Sequence, residues 1–152
     1  MYFSFYLDNK DFTGELHYIR DEHSFLYVPP NTNTGVGILI GQYTELDVIY
    51  ETNVIVHLSG YCHRNTWIAK EMTIPNSKKG CLVMNCGKPL MKGVSVEYDR
   101  TWLTYFDDEK QYVCIGDSST NKADNCVEFA NNVIAVLRGK KLIAIWAKVK
   151  QI

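Results

Sequence analysis

No apolar run reaches the roughly 18 residues that a membrane-crossing helix needs. The opening "MYFSFYLDNKDF" has neither the basic start nor the small-residue cleavage site of a secretory signal, so a cytoplasmic protein is expected. Charge of one sign is also missing. Sixteen basic residues against 17 acidic ones leave a net charge of −1, too little to draw the whole chain to nucleic acid or an anionic membrane. Close cysteine pairs are absent too. The five cysteines (62, 81, 86, 114 and 126) form an odd, scattered set that reads as free buried thiols. Cys81 and Cys86 are separated by four residues with no matching pair or downstream H-x3-5-H, so no metal and no other cofactor is expected. None of G-x-S-x-G, H-E-x-x-H, G-x-x-x-x-G-K or G-x-G-x-x-G occurs. "GVGILIG" has the glycines of a phosphate cradle without its helix or lysine, and reads as a bent strand.

What is present is a β pattern within an ordinary globular composition, 46% hydrophobic and 22% charged, enough for one core and one domain over 1–152. "YFSFYLD" alternates Phe3, Phe5 and Leu7 against Tyr2, Ser4 and Tyr6, which predicts a strand with one buried face. "GELHYIRDEHSFLYVPP" predicts a hairpin turning at Asp21 to His23 and stopped by Pro29-Pro30, with a loop to follow. Two strands are expected around Glu51 to Asn53, a third in "TWIAKEMTIP", then a turn at "NSKKG". "CLVMNC" and "GVSVEYD" read as strands, and "TWLTYFDDEKQYVCIG" as a hairpin turning at Asp107 to Lys110. The closing segment reads as two strands about Arg138 to Lys141, with Val127 to Asn131 open to one helical turn capped by Asp124. The expected fold is mainly β, or α+β with a minor helix, its antiparallel sheets forming a sandwich or half-barrel.

An offset of 79 residues (132 − 53) aligns "NVIVHLSGYCHRNTW" with "NVIAVLRGKKLIAIW" without a gap. Internal duplication is one explanation, with similar lobes over about 1–75 and 80–152; coincidence between hydrophobic hairpins is the other.

Cys62 beside His63 raises the question of a nucleophile, a metal ligand or neither. Neighbours on an extended chain point to opposite faces, and a Cys/His pair is normally assembled from distant segments, so a packed thiol is expected and catalysis is not. Ten tyrosines, six phenylalanines and three tryptophans could stack single-stranded bases, which makes a small nucleic-acid-binding module the alternative function. However, "YFSFYLD" and "WLTYFDDE" adjoin acids rather than bases, so nucleic acid is not the expected partner. The basic residues Arg138, Lys140, Lys141, Lys148 and Lys150 read as guards of an exposed edge. Acidic turns at Asp21-Glu22 and Asp107-Asp108-Glu109 are either solvated or a patch for a basic partner, with Trp102 and Tyr105 as aromatic anchors.

"TWLTYFDDEKQYVCIG" followed by "VEFANNVIAVLRGKKLIAIW" is similar to the central and C-terminal strands of small bacterial immunity proteins that neutralise contact-dependent or polymorphic toxins. The resemblance covers roughly residues 100 to 148. It implies a non-enzymatic protein whose partner is the C-terminal domain of a cognate toxin, a nuclease for example, blocked by covering its active site.

Overall fold

The computed structural model describes residues 1–31 and 33–152. Among them the chain forms β1 (Tyr2–Leu7), β2 (Glu15–Ile19), a 3-10 turn (Arg20–Glu22), β3 (Ser24–Val28), β4 (Thr34–Ile40), β5 (Thr44–Ile49) and β6 (Val54–Tyr61). A second 3-10 turn (Arg64–Thr66) leads to β7 (Ile68–Ala69), β8 (Lys78–Asn85), β9 (Val94–Asp99), β10 (Thr104–Asp107) and β11 (Tyr112–Gly116). The chain finishes through β12 (Asn125–Ala130), β13 (Val133–Arg138), β14 (Lys141–Lys148) and β15 (Lys150–Gln151). No helix among the described residues is long and apolar enough to cross a membrane.

The strands make one strongly curled mixed sheet, a half-barrel, ordered β15-β2-β3-β6-β8-β12-β13-β14-β11-β10-β7. Strand β6 is its branch point. One edge pairs with β5, while the other is shared between β3 at Gly60–Tyr61 and β8 at Val54–Ile55. Beyond β5 lie β4 and then β9. Strands from the two proposed lobes interleave: β9 runs parallel to β4, β15 parallel to β2, and β7 parallel to β10.

Two apolar clusters lie on opposite faces of the sheet's second half. In β13, Val133, Ala135 and Leu137 enter the main core with Tyr18, Phe25 and Leu58, while Ile134 and Val136 enter a smaller cluster with Met72, Cys114 and Trp146. Burial on both faces is why this strand reads as a continuous apolar run rather than an alternation. The smaller cluster is covered by residues 70–77, a strap outside the sheet. Met72 N–H donates to Asp107 Oδ2 (2.9 Å), Lys110 N–H donates to Asp107 Oδ1 (3.1 Å), and Lys110 Nζ donates to the Met72 carbonyl.

Several sequence expectations change. "TWIAKEMTIP" pairs only at Ile68–Ala69, because Thr66 and Trp67 finish the second 3-10 turn and residues 70–75 belong to the strap. "NSKKG" is no turn: Lys78 and Lys79 pair with Val127 and Glu128, and Gly80 with Leu7. Gly80 is needed for close approach, since a Cβ there would lie 2.5 Å from the Tyr6 carbonyl oxygen. Val127 to Ala130 belong to β12, not a helix. Phe3 is buried as expected, but Leu7 is 55% exposed. The offset segments agree at Asn53 and Asn132, both left-handed (φ 59 and 56) at hairpin ends, and along the strands that follow. They part at the glycines. Gly60 lies inside β6, whereas Gly139 makes the β13–β14 turn.

Candidate functional site

The residues after β6 tie three elements together. Cys62 N–H donates to the His23 carbonyl (2.7 Å), and the Tyr18 hydroxyl donates to the Cys62 carbonyl (2.8 Å), fastening the β2–β3 hairpin to the end of β6. The Cys62 side chain goes inward, 9% exposed, where Sγ accepts from Trp67 Nε1 (3.2 Å) and lies 3.6 Å from Thr104 Oγ1. His63 goes outward. Its Nδ1 accepts from Asn65 N–H (3.1 Å), capping the second 3-10 turn, and its ring stacks on His23 at 3.9 Å. The cysteine and histidine therefore part as an extended backbone requires, and the thiol is an acceptor within the core.

Outside that joint lies a ladder of aromatic rings. The β5 backbone passes so close to Gly60 (φ 102) that a Cβ would lie 2.6 Å from the Tyr43 carbonyl oxygen. This approach sets Tyr43 beside Tyr61, edge to face at 6.0 Å. Tyr61 lies 6.1 Å from His23 and 6.2 Å from His63, while the Arg100 guanidinium lies 5.8 Å from the Tyr43 ring centre. The ladder rims a small cleft of about 130 Å³ walled by Trp102, Leu103 and Thr104. Tyr43, Tyr61 and Leu103 are 56%, 43% and 54% exposed. Ring surface of this kind, unused by the core and gathered at one place, is typical of the anchors of protein interfaces.

Three of the seven residues expected at a binding site belong to this end of the molecule. Asp21 and Glu22 are exposed on the first 3-10 turn beside His23, and half-buried Trp102 walls the cleft. Tyr105 does not join them, because it packs against the smaller cluster with the Lys70 ammonium 4.9 Å from its ring centre. Asp107 is a correction to the acidic-patch reading: at 4% exposure it is the pin of the strap. The backbone amides of Met72 and then Lys110 hold its carboxyl below the usual carboxylate range. Asp108 and Glu109 are exposed at the far end of β10, about 13 Å of strand from Leu103. Sequence reasoning named neither Tyr43 nor Tyr61, and it weighed His63 only beside Cys62 and His23 only as part of a turn. The available signal was a tyrosine near a glycine in "GQYT" and "GYCH", aromatic rings placed where hairpins turn or end.

One histidine–carboxylate pair also forms. His57 Nδ1 lies 2.8 Å from Asp47 Oδ2, and its Nε2 accepts from Asn31 N–H (3.3 Å) beneath the stacked Tyr27 ring (5.3 Å). Both ring nitrogens are occupied, so the imidazole fastens the loop after β3. All five cysteines are free, and no three His, Cys, Asp or Glu side chains converge among the described residues. Comparison with protein-family models and with curated proteins gives no match.

Proposed function

We propose that this protein is an immunity-type binding protein, which docks on a cognate toxin domain through the Tyr43–Tyr61–His63 face and covers the toxin's active site. The observation that carries the reading is the exposed aromatic ladder around a small cleft. A cleft this small suits one or two inserted side chains better than a whole substrate molecule. Asp21 and Glu22 beside the ladder favour a basic partner such as a nuclease, and the same acids disfavour phosphate on this face.

The test is co-expression with a toxin domain, sought first in the product of the gene upstream of this one, read as relief of growth arrest and as a complex by titration calorimetry. Tyr61→Ala is expected to weaken binding by about 2 kcal/mol, roughly thirtyfold, as for an interface anchor. Asp21→Lys/Glu22→Lys should slow association and reduce its dependence on salt. Absence of protection together with absence of a complex would overturn the reading.

A further inference from the structure

A second surface, which shares no lining residue with the aromatic cleft, carries the opposite charge. Between β2, β15 and the turn preceding β13 runs an open groove of about 670 Å³. Arg20, Arg64, Lys148 and Lys150 line it against a single carboxylate, Glu15, so the groove carries +3 (4 − 1) on a chain whose net charge is −1. Glu15 is already engaged, by His17 Nε2 at 2.9 Å and Lys150 Nζ at 3.4 Å. Arg64 is held in place, its guanidinium 5.9 Å from the Trp67 ring centre and 5.8 Å from that of Phe106, donating to Gln151 Oε1. Among the described residues, Arg20 and Lys148 form no ion pair within 4.0 Å. The topology, not the sequence, makes this groove. Lys148 and Lys150 leave the C-terminal basic cluster to meet arginines from near β2 and β7, while Arg138 pairs with Asp124 and Asp117.

We infer that this groove binds an acidic polypeptide segment. Concentrated positive charge between low-dielectric walls raises the local concentration of an anionic ligand. The rest of the lining specifies a peptide over a nucleic acid. The Asn132 side-chain amide and the Asn131 side-chain carbonyl are left to match main-chain N–H and C=O groups, while Gln111, Gln151 and the Asn131 amide nitrogen are engaged with Asp108, Arg64, each other and Gly14. Strand β15 ends the sheet, paired with β2 on one side and, among the described residues, with no strand on the other. Among the described residues no aromatic ring lines the groove, so bases would find no stacking platform there.

The test is fluorescence anisotropy with a fluorescein-labelled decapeptide of alternating glutamate and glycine, beside a labelled oligouridylate of equal length. The peptide is expected to bind in low salt and to lose about tenfold or more in affinity as salt rises to several times the physiological level. Lys148→Glu/Lys150→Glu should abolish binding, and Arg20→Glu on the other side of the groove should weaken it about tenfold or more. Each variant is checked for a native circular dichroism spectrum. Tyr61→Ala, which disables the aromatic face, should leave peptide affinity unchanged, so this inference and the proposed function fail separately. The inference is overturned by no peptide binding in low salt, by binding that survives the double charge reversal, or by oligouridylate binding as tightly as the peptide.

Discussion

Trp67 is the clamp between the two ends of the curled sheet, and its removal should be felt as a loss of closure. Its ring centre lies 4.7 Å from Tyr18 on β2, 5.9 Å from Phe25 on β3 and 5.0 Å from Phe106 on β10. Three aromatic pairs at about 0.5–1.5 kcal/mol each give roughly 1.5–4.5 kcal/mol. Truncating a tryptophan to alanine in a core costs about 3–5 kcal/mol. Because Trp67 is half-buried, Trp67→Ala is expected at the lower end, about 3 kcal/mol. With a urea slope of about 1.5–2 kcal/mol per molar, the unfolding midpoint should fall by about 1.5–2 M. Trp67→Phe keeps a ring among the three partners and loses the indole N–H that Cys62 Sγ accepts. It should cost less than half as much, about 1 kcal/mol. The assay is urea unfolding followed by circular dichroism. A shift for Trp67→Ala below roughly 0.5 M, under about 1 kcal/mol, or equal losses for the two variants, would refute the clamp.

Two further outcomes follow from buried groups. Burial pushes the Cys114 thiol from 9.0 up to about 12, and burial raises the Tyr18, Tyr27, Tyr98 and Tyr112 phenols as well. The unfolded chain therefore releases protons first, so stability is full below pH 9 and falls as pH climbs toward 12. The slope is at most about 1.4 kcal/mol per pH unit for the one thiol. Cys114→Ala should flatten that decline in urea unfolding between pH 8 and pH 10.5, and an unchanged slope would count against the assignment. Asp107→Ala should free the strap, so that Cys114 beneath it reacts with a thiol reagent at neutral pH many times faster than in the wild type. In the wild type the pin's contribution is present above 3.8, the carboxyl's ordinary value, and is lost as pH falls through the lowered folded value. Equal labelling rates in variant and wild type would show that Asp107 does not hold the strap.

Hairpins were legible where local chemistry decides. The turns at His23, Asn53 and Gln111 each place a left-handed residue (φ 52, 59 and 56) between runs that alternate or are apolar, and no distant partner is needed to make them. What escaped depends on contacts far along the chain. Lys78-Lys79-Gly80 carries every local mark of a turn, yet it is strand because Leu7 and Val127 supply its partners. Asp107 looks like a solvated turn acid, and only Met72, 35 residues away, makes it structural. The charge pattern failed in the same way, since Arg20 and Arg64 share a groove with Lys148 and Lys150 only once the sheet has curled.

The pairing of Lys150 with His17 joins positions 133 residues apart (150 − 17). An assembly stitched together over such separations is slow to nucleate, on the order of milliseconds to seconds for β topologies, and resists being built piecemeal. A nascent or shortened chain lacking β15 would leave the edge of β2 bare, free to recruit the same strand from a second copy.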